Sequence, residues 1–264
     1  MKITLIGTGN IGSAIARGLA QGTIIKASDI TCTDRSEASL AKIKAFNSEF
    51  RLSTDNAEAS RKADIIIIAV KPWMVERVIN EIEGVLDYDR QIIVSIAAGV
   101  TFEQLTAYFE HTGSMATPTL FRVIPNTAIE VLSSMTFVSA LNASDEQSSL
   151  ILRIFSELGN TMLVEERLMM AGTALASSGI AFALRYIRAA IEGGVELGFY
   201  PREAQEIVVH TVKGAVDLLL ANKSNPEMEI DKVTTPGGIT IKGLNEMELS
   251  GFTSAVIRGL KKSR

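Results

Sequence analysis

The feature that most constrains this chain lies within its first dozen residues. Ile3–Thr4–Leu5–Ile6 is a short apolar strand that runs straight into Gly7–Thr8–Gly9–Asn10–Ile11–Gly12. A G-x-G-x-x-G spacing between a strand and a helix is the fingerprint of a dinucleotide-binding turn. Gly7 makes the tight turn, Gly9 lets the backbone approach a pyrophosphate, and Gly12 lets helix and strand pack closely. The helix that follows, from Ile11 to about Gln21, points its N-terminus at the phosphates. The expected class is therefore α/β, opening with a Rossmann-type doubly wound sheet.

The next segments extend that reading. Ile30–Thr31–Cys32–Thr33 is the second strand and ends in Asp34–Arg35–Ser36. Asp34 follows Gly12 at the spacing of the acid that accepts from both ribose hydroxyls, which favours NAD and repels a 2′-phosphate. Arg35 beside it can bind that phosphate or stack on adenine. The two residues pull in opposite directions, so the cofactor stays open as NAD or NADP. Ala63–Val70 reads as a strand buried on both faces, as in a parallel sheet. It stops at Lys71–Pro72, and Trp73 opens a helix to about Glu83. Gln91–Ser95 is the next strand. Its end, Ile96–Ala97–Ala98–Gly99, is small enough to let a flat ring lie close. Phe121–Ile124 and Met135–Val138 are further strands flanking Pro125–Asn126–Thr127. Ser144–Leu158 reads as a helix capped by Ser144 or Asp145, and Thr161–Val164 as a last short strand.

From Glu165 the strand pattern ends, which places a boundary between residues 1–164 and an all-helical 165–264. Leu168–Gly193 is long, apolar and alanine-rich. Gly193–Gly194 and Gly198 punctuate the way to a second long helix, Pro201–Ala221, with Pro201 in its first turn. Asn222–Pro226 is a break before a short acidic turn, and a last helix runs from about Thr240 to Arg258. Thr235–Pro236–Gly237–Gly238–Ile239–Thr240 precedes it. There Pro236 fixes φ, two adjacent glycines let a ligand approach the backbone, and Thr240 offers a hydroxyl at a helix start. About a hundred helical residues this rich in Ala, Ile, Val and Leu carry more apolar surface than they can bury alone. The sequence thus predicts a homodimer with interleaved helices, a closed monomeric bundle being the alternative.

Composition excludes other classes. Hydrophobic residues make up 47% and charged residues 21% of 264, and the net charge is −4. No Lys/Arg cluster suggests a nucleic-acid face, since Lys261–Lys262–Ser263–Arg264 is only a short tail. Cys32 is the one cysteine, so no intrachain disulfide forms and a reducing, cytoplasmic setting fits. The apolar run after Lys2 breaks at Gly7, unlike a signal peptide. The longest uninterrupted apolar run, Ile65–Val70, is far short of the ~20 residues a membrane span needs. His111 and His210 have no companion ligands, and neither a zinc spacing nor a G-x-S-x-G elbow is present. No metal is expected.

Taken together, these stretches resemble the pyrroline-5-carboxylate reductase family over nearly the whole length. The likeness rests on GTGNIG at 7–12, AVKP at 69–72, SIAAGVT at 95–101, RVIPNTA at 122–128 and TTPGGITIKGL at 234–244. The last is the most specific. The resemblance implies a Rossmann domain followed by a helical dimerisation domain, with an active site at their junction. It also implies reduction of a small cyclic imino acid, 1-pyrroline-5-carboxylate, to L-proline by NAD(P)H. Carried over by position, Ile6–Gly12, Asp34, Asn56, Ala69–Val70–Lys71–Pro72 and Ile96–Ala97–Ala98 would touch the dinucleotide. Glu166, Gly238, Ile239 and Thr240 would touch the substrate, with the loop backbone after the double glycine holding its carboxylate and Thr240 hydrogen-bonding the ring nitrogen.

There are departures. The family usually has S-G-P-A-Y where this chain has Ser178–Gly179–Ile180–Ala181–Phe182. Thr or Ala often stands at the place of Ile239, and Ser or Asn at the place of Asp34. These changes leave open a relative acting on another cyclic imino acid. A β-hydroxyacid dehydrogenase would need a general acid–base lysine in the first long helix after the sheet, and no lysine occurs between Lys71 and Lys213. A non-catalytic dinucleotide-binding protein is the remaining alternative.

Overall fold

The computed structural model describes residues 1–109 and 118–264, and His111 lies outside them. The chain divides into two compact units, Met1–Ser177 and Ser178–Arg264.

The first unit holds one mixed sheet. Its strands are β1 (Ile3–Ile6), β2 (Ile30–Thr33), β3 (Arg51–Ser53), β4 (Ile65–Ile68), β5 (Ile92–Ser95), β6 (Thr119–Ile124), β7 (Ser134–Leu141) and β8 (Gly159–Leu163). Their spatial order is 3-2-1-4-5-6-7-8. β1 lies parallel between β2 and β4, with Ile3 opposite both Ile30 and Ile65. β7 alone runs antiparallel to its neighbour β6, and β8 then pairs parallel with β7. The order reverses beside β1, so a crevice opens there at the carboxyl ends of the strands.

Side chains along each central strand alternate between two cores. Ile3, Leu5, Ile65 and Ile67 join one core, which also holds Ile15 and Leu19 of α1 (Asn10–Gln21) and Ile151 and Phe155 of α6 (Asp145–Ser156). Ile6, Ile66 and Ile68 join the other, with Val75, Ile79 and Ile82 of α4 (Val75–Ile82) and Leu105 of α5 (Phe102–Phe109). This explains the run of four isoleucines: both faces of β4 are covered. Each such buried side chain contributes about 1.5–3 kcal/mol. Cys32 is buried and unpaired, and its burial pushes the thiol up to about 12, which leaves it inert.

Helix ends follow local chemistry. Ser144, rather than Asp145, caps α6, and Gln147 completes a capping box with it. Ser36 caps α2 (Glu37–Phe46), and Asp55 caps α3 (Asn56–Ser60). The three-residue edge strand β3 and the helices α2, α3 and α5 are additions to the elements expected from the sequence.

The run expected as one helix from Leu168 is segmented. A 3-10 turn at Glu166–Leu168 leads into α7 (Met169–Gly172), then a π-helical stretch at Thr173–Ser178, then α8 (Gly179–Glu196). Residues 165–177 pack with the first unit. Met169 is buried with Ile124 and Phe137, and a Cβ on Gly172 would lie 2.8 Å from the Phe137 ring.

In the second unit, α8 and α9 (Pro201–Asn222) are followed by α10 (Pro226–Val233), α11 (Ile239–Leu249) and α12 (Phe252–Lys262). Three expectations are corrected here. Gly193 and Gly194 lie inside α8, and a Cβ on Gly194 would come within 3.1 Å of the Ala204 Cβ, so glycine serves a close α8–α9 crossing. The acidic turn after Pro226 is a helix, capped by Asn225 and opened by Pro226. The last helix is two, because Gly251 takes φ +83° and breaks it. The joined helical run 166–196 is, among the described residues, the one stretch long and apolar enough to cross a membrane by length and composition alone. Gly, Ser and Thr had broken it up in the count of uninterrupted apolar residues. Its last turns carry an exposed Arg188–Glu192 ion pair at 3.2 Å.

Candidate active site

A cleft of about 800 Å³ lies over the carboxyl ends of β1, β2, β4 and β5. The phosphate turn forms its floor through Ile6, Gly7, Gly9, Asn10 and Ile11. Asp34, Arg35 and Asn56 stand at one side. Ala69–Val70–Lys71–Pro72 and Ile96–Ala97–Ala98 line the rest. The structure thus gathers nearly the whole dinucleotide set named from the sequence into one wall.

Thr8 and Gly12 do not line the cleft, and they build it instead. A Cβ on Gly12 would meet the Gly7 carbonyl at 2.0 Å, so only glycine lets α1 approach the turn. Gly7 sits at φ +100°, and a Cβ there would fall 2.7 Å from the Ala69 carbonyl. A Cβ on Gly9 would have nothing within 4 Å. That open space borders the N-terminus of α1, where Gly9 is the N-cap, no side chain caps the helix and no acid stands in its first turn. Free N–H groups at the positive end of a twelve-residue helix, beside room for a ligand, suit a pyrophosphate. The residues present therefore fit a dinucleotide.

Asp34 does more than the sequence suggested. Its Oδ2 accepts from both the backbone N and the hydroxyl of Thr8, at 2.8 Å each, and its Oδ1 accepts from Ser36 N at 2.9 Å. Partial burial works against its charge, but the bonds from Ser36 and Thr8 outweigh it and hold the carboxyl below its ordinary range. Asp34 thus ties the phosphate turn to the end of β2, and only its remaining lone pairs face the cleft. Thr33 donates to Asn56 Oδ1 at 2.6 Å, which turns the Asn56 amide nitrogen outward.

Sequence reasoning did not assign Thr54, Met74, Ile124, Pro125, Thr127, Thr173 or Ser177 to the site, and all of them line the cleft. The last two belong to the π-helical stretch, an irregularity that recurs at functional sites. Ser177 donates to the Pro125 carbonyl at 3.4 Å, and Asn126 donates to the Ala176 carbonyl at 3.4 Å, pinning that stretch to the β6 end. No local sequence signal marks a π-helix.

Glu166 is not among the lining residues. Its Oε1 accepts from Arg122 Nη1 and from Phe102 N, each at 2.6 Å. Arg122, on β6, is 3% exposed and its guanidinium lies 5.9 Å from the Phe102 ring centroid. An arginine inside an apolar strand was the available clue to this pair, since a buried cation requires a partner.

The glycine-pair loop belongs to the second unit. Gly238 N donates to the Thr235 carbonyl at 2.9 Å, with Pro236 and Gly237 between them and Gly237 at φ +72°. This is the pattern of a type II turn, which needs glycine at its third position. Gly238 is the N-cap of α11, again with no side-chain cap and no acid in the first turn. Ile239 is 88% exposed, and Thr240 is exposed beside it. His210 is exposed on α9.

A parallel sheet reversing beside a glycine turn, with that cleft, defines a nicotinamide-dinucleotide-binding oxidoreductase domain joined to a helical domain. Residues 2–99 match the family model described as NADP oxidoreductase coenzyme F420-dependent, and residues 166–264 match the one described as pyrroline-5-carboxylate reductase dimerisation. Pyrroline-5-carboxylate reductase 2 of Dictyostelium discoideum is 37% identical, over 99% of this chain and 90% of that protein. Pyrroline-5-carboxylate reductase of Methanosarcina acetivorans is 35% identical, over 100% and 97%. The crystal structure of the Plasmodium falciparum pyrroline carboxylate reductase with NADP bound superposes with a TM-score of 0.86 at 25% identity, over 100% of this chain and 95% of that one. The chain belongs to the pyrroline-5-carboxylate reductase family.

Proposed function

We propose that this chain reduces 1-pyrroline-5-carboxylate to L-proline with NADH or NADPH, the last step of proline formation. The observation that carries the reading is the uncapped start of α1 beside the open space at Gly9, in a chain whose full length aligns with these reductases. Bound in the cleft, a reduced nicotinamide supplies the hydride. The chain's own task is orientation. Gly7–Gly12 would hold the pyrophosphate, with Asp34, Arg35 and Asn56 at the adenosine end. Ala69–Pro72 and Ile96–Ala98 would bound the rest of the dinucleotide. Gly238 N is taken by the Thr235 carbonyl, and the first-turn N–H groups of Ile239 and Thr240, at a glycine-opened helix start, suit the substrate carboxylate. Thr240 is the residue we assign to the imine nitrogen. As the carbon of the protonated C=N bond gains hydride, the C=N electron pair settles on nitrogen, and a hydroxyl there stabilises the amine that forms. Glu166, fixed by Arg122 and Phe102, is assigned to the substrate side.

The division by role falls at 164/165, supported by the dimerisation match beginning at residue 166. The working form is a homodimer, or an oligomer of dimers, located in the cytoplasm. The second copy would cover the apolar helix faces, including that of 166–196, in place of any membrane. The deciding experiment is steady-state oxidation of NADH and of NADPH by the purified chain, with five- and six-membered cyclic imino acids and with a β-hydroxyacid. Turnover that requires the five-membered imine is expected. Oxidation driven only by the six-membered ring would move the substrate, and none with any imine would leave a binding protein.

A further inference from the structure

At the adenosine side of the cleft, three polar side chains converge on a carboxylate that no motif includes. Glu81, on α4, accepts from Asn56 Nδ2 at 2.7 Å through Oε2. Its Oε1 accepts from Arg77 Nε at 3.0 Å and lies 3.5 Å from Arg35 Nη2. Thr33 fixes the Asn56 amide so that its nitrogen must face Glu81. Arg35 and Asn56 both line the cleft.

We propose that Glu81 sets the cofactor preference of this chain toward the dinucleotide without a 2′-phosphate. This rests on reading the cleft as the dinucleotide site. The argument is one of competition. A 2′-phosphate needs cations and amide donors, and here Arg35, Arg77 and the Asn56 amide already serve a carboxylate. Two arginines against Asp34 and Glu81 leave this side of the cleft near neutral, a poor setting for a group of charge near −2. Releasing the donors to a phosphate would leave Glu81 facing it, like charge against like. A plain ribose asks for none of this, and the remaining lone pairs of Asp34 accept from its hydroxyls. Asp34 thus repels the phosphate directly, whereas Glu81 withholds the groups that would bind it.

The test compares kcat/KM for NADPH and NADH, together with dissociation constants of NADP⁺ and NAD⁺, in wild type, Glu81→Gln and Glu81→Ala. Both variants should raise the NADPH-to-NADH ratio about tenfold or more, mainly through KM and Kd, and the gain should shrink at high salt. Values for NADH should move less than about threefold, because Asp34, unchanged in both variants, still accepts from the plain ribose. Glu81→Ala guards against the glutamine simply reproducing the hydrogen bond from Asn56. An unchanged ratio in both variants, with both dinucleotides still bound, overturns the role of Glu81 and leaves the site intact. Failure of wild type to bind either dinucleotide overturns the site reading and this proposal together.

Discussion

The two units of this chain spend their apolar residues in opposite ways. In the first, the isoleucines of β1, β4 and β5 vanish into two cores on either side of the sheet. In the second, Ala204 is the one buried residue, while Leu184, Ile207, Leu218, Leu220 and Val256 are each at least 40% exposed. Both segments read as apolar in sequence, so hydrophobicity alone does not tell a finished core from an unfinished one. A sheet roofed by helices completes its own burial, whereas a few helices of this length cannot. The match of residues 166–264 to a dimerisation family fits that deficit.

The contrast is most directly broken at the exposed face. Ile207 and Leu218 lie three turns apart on one stripe of α9 and are 47% and 50% exposed. The double variant Ile207→Asp, Leu218→Asp is expected to abolish assembly and lower activity by about 100-fold or more, as charges in the apolar centre of an interface do. Sedimentation beside a kinetic assay reads both, and an unchanged oligomer would mean that this stripe faces water.

Within the self-sufficient unit, the tightest point is Gly12. Gly12→Ala should cost about 3 kcal/mol of stability, an overpacking loss, and weaken dinucleotide binding with it. Chemical denaturation and a binding titration check the two separately. If neither moves, the closeness of α1 to the turn is not what glycine provides.

Thr240 sharpens the comparison from the other side, because it is exposed yet assigned to chemistry. Thr240→Ala should lower kcat/KM by about 10- to 1,000-fold, the range for one transition-state hydrogen bond, with the melting temperature unmoved. A normal rate removes it from the mechanism.

The smallest effect concerns Asp34. Its carboxyl in the folded chain lies below the ordinary value of 3.8, so its contribution to stability is fully present above that pH and is lost as pH falls through the depressed value. Asp34→Asn should therefore lower Tm near neutrality, and the gap from wild type should close below about pH 3.8. A gap that persists in acid would show that the bonds from Thr8 and Ser36 do not depend on the charge.

Much of the fold was legible because it follows from local rules. The strand-turn-helix at 3–21 is dictated by glycine spacing, the four isoleucines of β4 by burial on two faces, and the start of α6 by a cap at Ser144 or Asp145. Of the cleft lining, the glycine spacing pointed to the phosphate turn and Asp34, and the strand ends to 71–72 and 96–98, whereas Asn56 came only with the family resemblance. Where reading failed, a partner distant in sequence decided the outcome. Gly194 looks like a helix breaker until Ala204 is placed against it, and Thr173 and Ser177 become cleft residues only because the chain bulges over the β6 end. Asp34 reads as a ribose acceptor from its position, but its bonds to Thr8 make it also the brace of the phosphate turn.

The sequence by itself determined the main strand-and-helix rhythm and the nucleotide-binding turn, since these rest on backbone sterics and residue type within a few positions, and its motifs spread over 7–244 pointed by resemblance to the kind of chemistry. Only the tertiary structure decided which polar groups already have partners. Arg122 with Glu166, and Arg35 and Asn56 on Glu81, depend on strands and helices brought side by side across dozens of residues. No periodicity records such a juxtaposition.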